Sequence, residues 1–174
     1  MNQSDSLGKP LLDHILDRSL VALVVKFDCR DADVFRKPGK KMTLRTSDGK
    51  NSLFYRMEDA TSIKTKDFDT SNGTNMVSMF CGCKALTSLD VSSFDTSNVT
   101  DMSGMFSECP SLTTIFASDK FVTNGVTSDS DMFSSSSKLH GGAGTVYDAN
   151  HINKEYARID GGTENPGYFT AKTN

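Results

Sequence analysis

Apolar positions along the chain recur at a long interval before they recur at any short one. Two segments, FDTSNGTNMVSMFCGCKALTSLDVSS from Phe68 and FDTSNVTDMSGMFSECPSLTTIFAS from Phe94, superpose at an offset of 26 residues. Met76, Met79, Phe80, Cys83, Leu86 and Leu89 then fall on Met102, Met105, Phe106, Cys109, Leu112 and Ile115. The same step backwards reaches Phe54, Ala60 and Ile63, and a step of 27 forwards reaches Met132, Phe133 and Leu139. The chain thus holds about four units, two nearly identical and two degenerate. Such a period marks a stack in which no unit can bury its own apolar face, and degenerate terminal units suit ends that must be capped.

Inside a unit the spacing changes. Met76, Met79, Phe80 and Cys83 stand at i, i+3, i+4 and i+7, which predicts a short helix, whereas Leu86, Leu89 and Val91 in a threonine- and serine-rich stretch predict a strand. Each unit therefore reads as turn (DTSN), short helix and strand, with Thr74 or Asn75 and Thr100 or Asp101 as helix N-caps. Stacked units would lay their strands side by side in parallel, about 4.8 Å apart. The expected product is an α/β stack of about four coils, with a narrow parallel sheet on one face and helical turns on the other.

The flanks read as caps of a single structural domain. In residues 1–49, Pro10 and Leu11, Leu12, Ile15 and Leu16 predict a helix, LVALVVKF a buried strand, and KKMTLRTSDGK a second strand ending in an Asp48-Gly49 turn. The helix could instead be an amphipathic partner-binding segment. Residues 50–140 carry the repeats. In residues 141–174, Tyr147, Tyr156, Ile159, Tyr168 and Phe169 alternate with Gly161-Gly162 and Asn165-Pro166-Gly167 turns, as a compact cap would.

The strings FDTSNVTDMSGMFSECPSLTTI and TNMVSMFCGCKALTSLDVSSFDTSN resemble the BspA-like leucine-rich repeats of bacterial surface proteins, a repeat type also found in mycoplasma lipoproteins. GTVYDANHINKEYARIDGGTENPGYFT is similar to the segment that often closes such arrays, so the resemblance runs over roughly residues 50–170. It implies a leucine-rich-repeat-type right-handed solenoid on a secreted or surface-anchored protein. It also implies adhesion to host or matrix proteins and cell–cell contact.

Composition narrows the functional classes. Hydrophobic residues are 36% with no tryptophan, lean for a compact globule but suited to thin core layers. Nineteen basic against 22 acidic residues give a formal net charge of −3, without the basic face that nucleic acid requires. The cluster Arg36, Lys37, Lys40 and Lys41 around Pro38-Gly39 reads as a solvated loop. The longest apolar run, Leu20–Val25, is far short of the roughly 18–20 residues a membrane helix needs. MNQSDSLGKPLLDHILDRS is not expected to act as a signal peptide, since no basic region precedes an apolar one. The residues thus leave extracellular and cytoplasmic locations open, and the resemblance points to the cell surface.

Candidate chemistry is sparse. Cys81-Gly82-Cys83 is not the paired CxxC arrangement that binds zinc, and Cys83 and Cys109 share one repeat position, which predicts buried thiols in a ladder. One coil apart, those two could also meet the distance of a disulfide. His14, His140 and His151 lie scattered in cap segments, and Cys29 has Asp28 and Asp31 as neighbours, a poor setting for a nucleophilic thiol. The recurring Asp69–Asn72 and Asp95–Asn98 strings suggest turn capping rather than calcium, because the paired glycines of calcium rolls are missing. Met76, Met79, Met102, Met105 and Met132 read as core. No catalytic residue, metal or cofactor is expected, and neither is an enzyme.

Strand alternation supplies the candidate binding residues. If Leu86, Leu89 and Val91 point inward, then Thr87, Ser88 and Asp90 face out, with Thr61 and Lys64 one unit earlier and Thr113, Thr114 and Phe116 one unit later. Phe116 is either an exposed aromatic anchor or, the preferred reading, packs with Phe121 under the loop 118–130. The expected function is a monomeric module binding a host or matrix protein or glycan. A structural spacer or fragment of a longer array is the first alternative, and an intracellular protein-interaction effector the second.

Overall fold

The structure, a computed structural model, describes residues 42–43, 53–66 and 68–172. The helix and strand expected over residues 10–28, the Asp48-Gly49 turn, His14 and Cys29 lie outside the described residues. Five short strands occur: β1 (Met42–Thr43), β2 (Phe68–Asp69), β3 (Ser88–Asp90), β4 (Thr114–Ala117) and β5 (Phe169–Ala171). β1 and β2 form one parallel pair, and β3, β4 and β5 form a three-stranded sheet in that order, parallel throughout. Met42 faces Phe68, and Ser88 faces Thr114, so both ladders carry the 26-residue step seen in the sequence. β1 falls inside the 40–50 stretch for which a strand is predicted.

The short helices expected over 75–83 and 101–109 do not form. The N–H groups of Met76, Ser78, Phe80 and Gly82 reach across to the carbonyls of Asp101, Ser103, Met105 and Ser107 in the next unit, at 2.8–2.9 Å. Only the donors between them turn back, Met79, Cys81 and Cys83 bonding the carbonyls of Met76, Ser78 and Phe80 three residues earlier. The next unit repeats this, with Met102, Gly104, Phe106 and Glu108 bonding to Ser128, Ser130, Met132 and Ser134. Half of the backbone donors are thus spent between units, and none remains for a helical i to i−4 series.

Left-handed backbone explains how the chain manages this. Ser78 and Gly82 have φ of 52° and 76°, Gly104 and Glu108 62° and 55°, and Asp131 and Ser135 58° and 61°. A left-handed residue every fourth position is incompatible with a right-handed helix but closes a run of tight turns. Such a run places residues i, i+3, i+4 and i+7 on one side, so it mimics the apolar spacing of a helix. The two helical pieces among the described residues are 3-10 turns in the C-terminal part, Lys154–Tyr156 and Gly162–Glu164.

The core is built in columns. Phe54, Phe80, Phe106 and Phe133 are buried one above the other, with centroid separations of 5.2, 5.7 and 5.5 Å and interplanar angles of 6°, 1° and 12°. Leu86 and Leu112, Leu89 and Ile115, and Val99 and Val126 make parallel columns beside them, all buried. Met76, Met79, Met102, Met105 and Met132 fill the space between and are 2% exposed or less. Burying each such side chain contributes roughly 1.5–3 kcal/mol.

The C-terminal segment closes the stack. The Ile152 carbonyl accepts the Phe133 N–H at 2.9 Å, continuing the turn ladder, while β5 continues the sheet beside β4. Tyr168 meets the last stacked ring edge-on, 5.1 Å from Phe133, and its hydroxyl accepts the Asp148 N–H at 3.0 Å. Asp160 ties the loop together, its carboxylate accepting the N–H groups of Ala143, Thr145 and Gly162 and the Thr145 hydroxyl.

Candidate functional site

The sheet β3–β4–β5 has one apolar and one polar face because its side chains alternate. Leu89, Ile115 and Phe169 point into the core and are 1% exposed or less. Ser88, Asp90, Thr114, Phe116 and Thr170 take the other face, with Ser88 opposite Thr114 and with Asp90, Phe116 and Thr170 in one row across the three strands.

Asp90 is the most constrained of these groups. One carboxylate oxygen accepts both the Ser92 N–H, at 3.0 Å, and the Ser92 hydroxyl, at 2.6 Å. The other accepts from the Lys172 ammonium at 2.9 Å. Burial pushes the Asp90 carboxyl up, but the bonds from Ser92 and Lys172 outweigh it and hold the group below the usual carboxylate range. Lys172 Nζ also sits 5.1 Å from the centroid of the Phe116 ring. One ammonium therefore contacts both a carboxylate and an aromatic ring.

The structure brings four of the expected residues together, Ser88, Asp90, Thr114 and Phe116. Thr87 and Thr113 lie just before the strands, where the Thr113 N–H and hydroxyl both bond the Thr87 carbonyl, at 2.9 and 3.0 Å. Thr113 thus joins units rather than presenting a free hydroxyl. Thr61 and Lys64 are exposed at the corresponding positions one unit earlier, in irregular backbone outside the sheet. The preferred placement of Phe116 is corrected. It does not pack with Phe121, which is buried against Phe106 and Phe169 on the core side, but lies half-buried on the outer face beneath Lys172. Thr170 and Lys172 were not among the expected residues, because nothing in the sequence links the C-terminal strand to β4.

The remaining candidates resolve as structure. Cys81, Cys83 and Cys109 are free thiols, and the Cys83 and Cys109 sulfurs donate to the carbonyls of Phe54 and Phe80 in the preceding unit, at 3.2 and 3.1 Å. Ser136 continues the column, donating to the Phe106 carbonyl at 2.6 Å. Burial pushes the Cys109 thiol up to about 11 and also raises Cys81, so neither is poised as a thiolate. Asp69, Asp95 and Asp101 each hold the N–H and hydroxyl of the serine two residues on, the turn-capping role expected of the first two. His151 stacks on Tyr156 at 4.5 Å, and His140 is exposed. Among the described residues no group of His, Cys, Asp and Glu could hold a metal ion, and no helix is long and apolar enough to cross a membrane.

A family model described as "Mycoplasma protein of unknown function, DUF285" matches residues 49–160. No curated protein matches the chain, and no solved structure does.

Proposed function

The chain belongs to the DUF285 family, and from that membership we propose that it is a non-catalytic binding module of the bacterial surface type, holding a protein or glycan partner on the outer face of β3–β4–β5. Its architecture is then a right-handed, BspA-like leucine-rich-repeat solenoid, monomeric and placed outside the cell for adhesion. The observation that carries this reading is the row of Asp90, Phe116 and Thr170 on a flat sheet face, with Ser88 and Thr114 beside it. A half-buried aromatic ring flanked by charged and hydroxyl side chains is the composition of an interface anchor with its polar surround.

The test has two parts. Protease shaving of intact producing cells should remove the protein if it is displayed, and recovery only from the cytosol would move the reading to an intracellular effector. Substituting Thr87, Asp90, Thr114 and Phe116 together should abolish capture of a host or matrix ligand while the thermal midpoint stays within a few degrees. A spacer role is the second reading, favoured by the continuous inter-unit ladder and by the small side chains that make up most of the outer face. A spacer has no ligand to lose.

A further inference from the structure

We propose that Asp90 and Phe116 form a recognition site for a single alkylammonium group, the side chain of a lysine carried by the partner, and that Lys172 occupies this site until the partner displaces it. The inference rests on the reading of β3–β4–β5 as the partner-binding face and names the chemistry of what it binds.

Three features build the site. The carboxylate is pre-set, because Ser92 fixes one oxygen through two hydrogen bonds and leaves the other facing the ring side. Four aspartates in the repeats share this clamp by a following serine, Asp69, Asp90, Asp95 and Asp101. Of these, Asp90 is the one paired across a ladder with an aromatic residue, Phe116. A carboxylate beside the face of an aromatic ring attracts an organic cation through charge and through the ring quadrupole together. The third feature is the bound group itself, since Lys172 places an ammonium 2.9 Å from the Asp90 carboxylate and 5.1 Å from the ring centroid.

Lys172 is a weak occupant. Its side chain and that of Asp90 are each about 40% exposed, and an exposed ion pair with an exposed cation–π contact holds only loosely. The lysine follows the last residue of β5, so it can swing away without any loss of sheet pairing. A competing lysine therefore meets a site that is preformed and only lightly guarded.

The probe is an N-acetylated, C-amidated alanine–lysine–alanine tripeptide, with its norleucine counterpart as control, titrated against the full chain and followed by amide shifts of residues 88–92, 114–117 and 169–172. Lys172→Ala should bind the lysine peptide ~3–10-fold more tightly than the unaltered chain, because the internal competitor is gone. Adding Phe116→Leu, which leaves the Ser92 clamp untouched, should weaken binding ~2–5-fold. Adding Asp90→Asn should remove the preference for lysine over norleucine. Equal shifts with both peptides, or no gain in Lys172→Ala, overturn the site. Thermal midpoints of the three variants, expected within a few degrees of each other, show that a lost response is not unfolding. The outcome separates from that of the wider reading: a captured partner that survives Asp90→Asn sinks the ammonium site alone. Tripeptide binding without any capturable partner sinks the adhesion reading alone.

Discussion

The left-handed residues set the geometry at the smallest scale. Ser78 and Glu108 adopt φ of 52° and 55° where the neighbouring units have Gly104 and Gly82. The left-handed conformation costs a non-glycine residue roughly 1–2 kcal/mol. Ser78→Gly should therefore raise stability by about 0.5–1 kcal/mol, the remainder being lost to the freer unfolded chain, as urea midpoints will show. Gly82→Ala should act oppositely, by about 1–2 kcal/mol, since its φ is 76° and the added Cβ would come within 2.9 Å of Arg56 Cγ. Asp160 is the second decisive residue. Burial alone would push its carboxyl up, but the bonds from Thr145, Gly162 and Ala143 outweigh it and bring it down to about 2. Because the folded value lies below the unfolded one, about 3.9, this stabilisation is full above the unfolded value and fades as pH falls towards 2. Asp160→Ala should cost about 3 kcal/mol at neutral pH, and the difference between the variant and the parent should shrink in acid. A constant difference down to pH 2 would show that the carboxylate charge is not what these donors need. None of this was legible in sequence, where a serine and a glycine at one repeat position look like ordinary turn residues, and Asp160 is one carboxylate among many.

At the scale of the element, the unit is a set of columns whose hydrogen bonds run along the stack. Thr96 shows the device most clearly. Its buried hydroxyl donates to the Val122 carbonyl at 2.6 Å and accepts the Val122 N–H at 2.7 Å, and Thr70 does the same one unit earlier with Asp95. Thr96→Val keeps the shape but strands both Val122 groups, which should cost about 1–3 kcal/mol. Phe106 lies between Phe80 and Phe133 in the ring stack, fully buried, and Phe106→Ala should cost about 3–5 kcal/mol by calorimetry or urea titration. The apolar columns were readable in advance, since Phe54, Phe80, Phe106 and Phe133 follow the 26- and 27-residue steps. The type of element was not. A run of turns and a helix share the spacing i, i+3, i+4, i+7, and what separates them here is a donor-to-acceptor bond across 25 residues, such as Ser78 to Ser103, which no local pattern reports.

At the scale of the molecule, the same 26-residue step appears in the turn ladder, the β3–β4 register and the ring stack, so one whole unit should be removable. Deleting residues 80–105 takes out 26 residues and joins Met79 to Phe106, recreating the Met105–Phe106 step that the chain already contains. Phe54 would then stack on Phe106, Cys109 would donate to the Phe54 carbonyl as Cys83 does now, and β4 would remain beside β5. The shortened protein should unfold in a single urea transition with a lower midpoint and a smaller m-value, in keeping with less surface exposed. Deleting residues 80–92 removes only 13 residues but brings Phe94 to the place of Phe80, facing the ladder with the wrong half of the unit. Here the smaller deletion should do the greater harm and abolish the cooperative transition. If instead the two deletions cost in proportion to their length, the columns do not govern stability. The whole-unit deletion also removes Asp90 while keeping Phe116 and Lys172, so it should leave a folded chain with no preference for the lysine tripeptide. That outcome ties the site to β3, a link between residues 82 positions apart that only the three-dimensional fold makes visible.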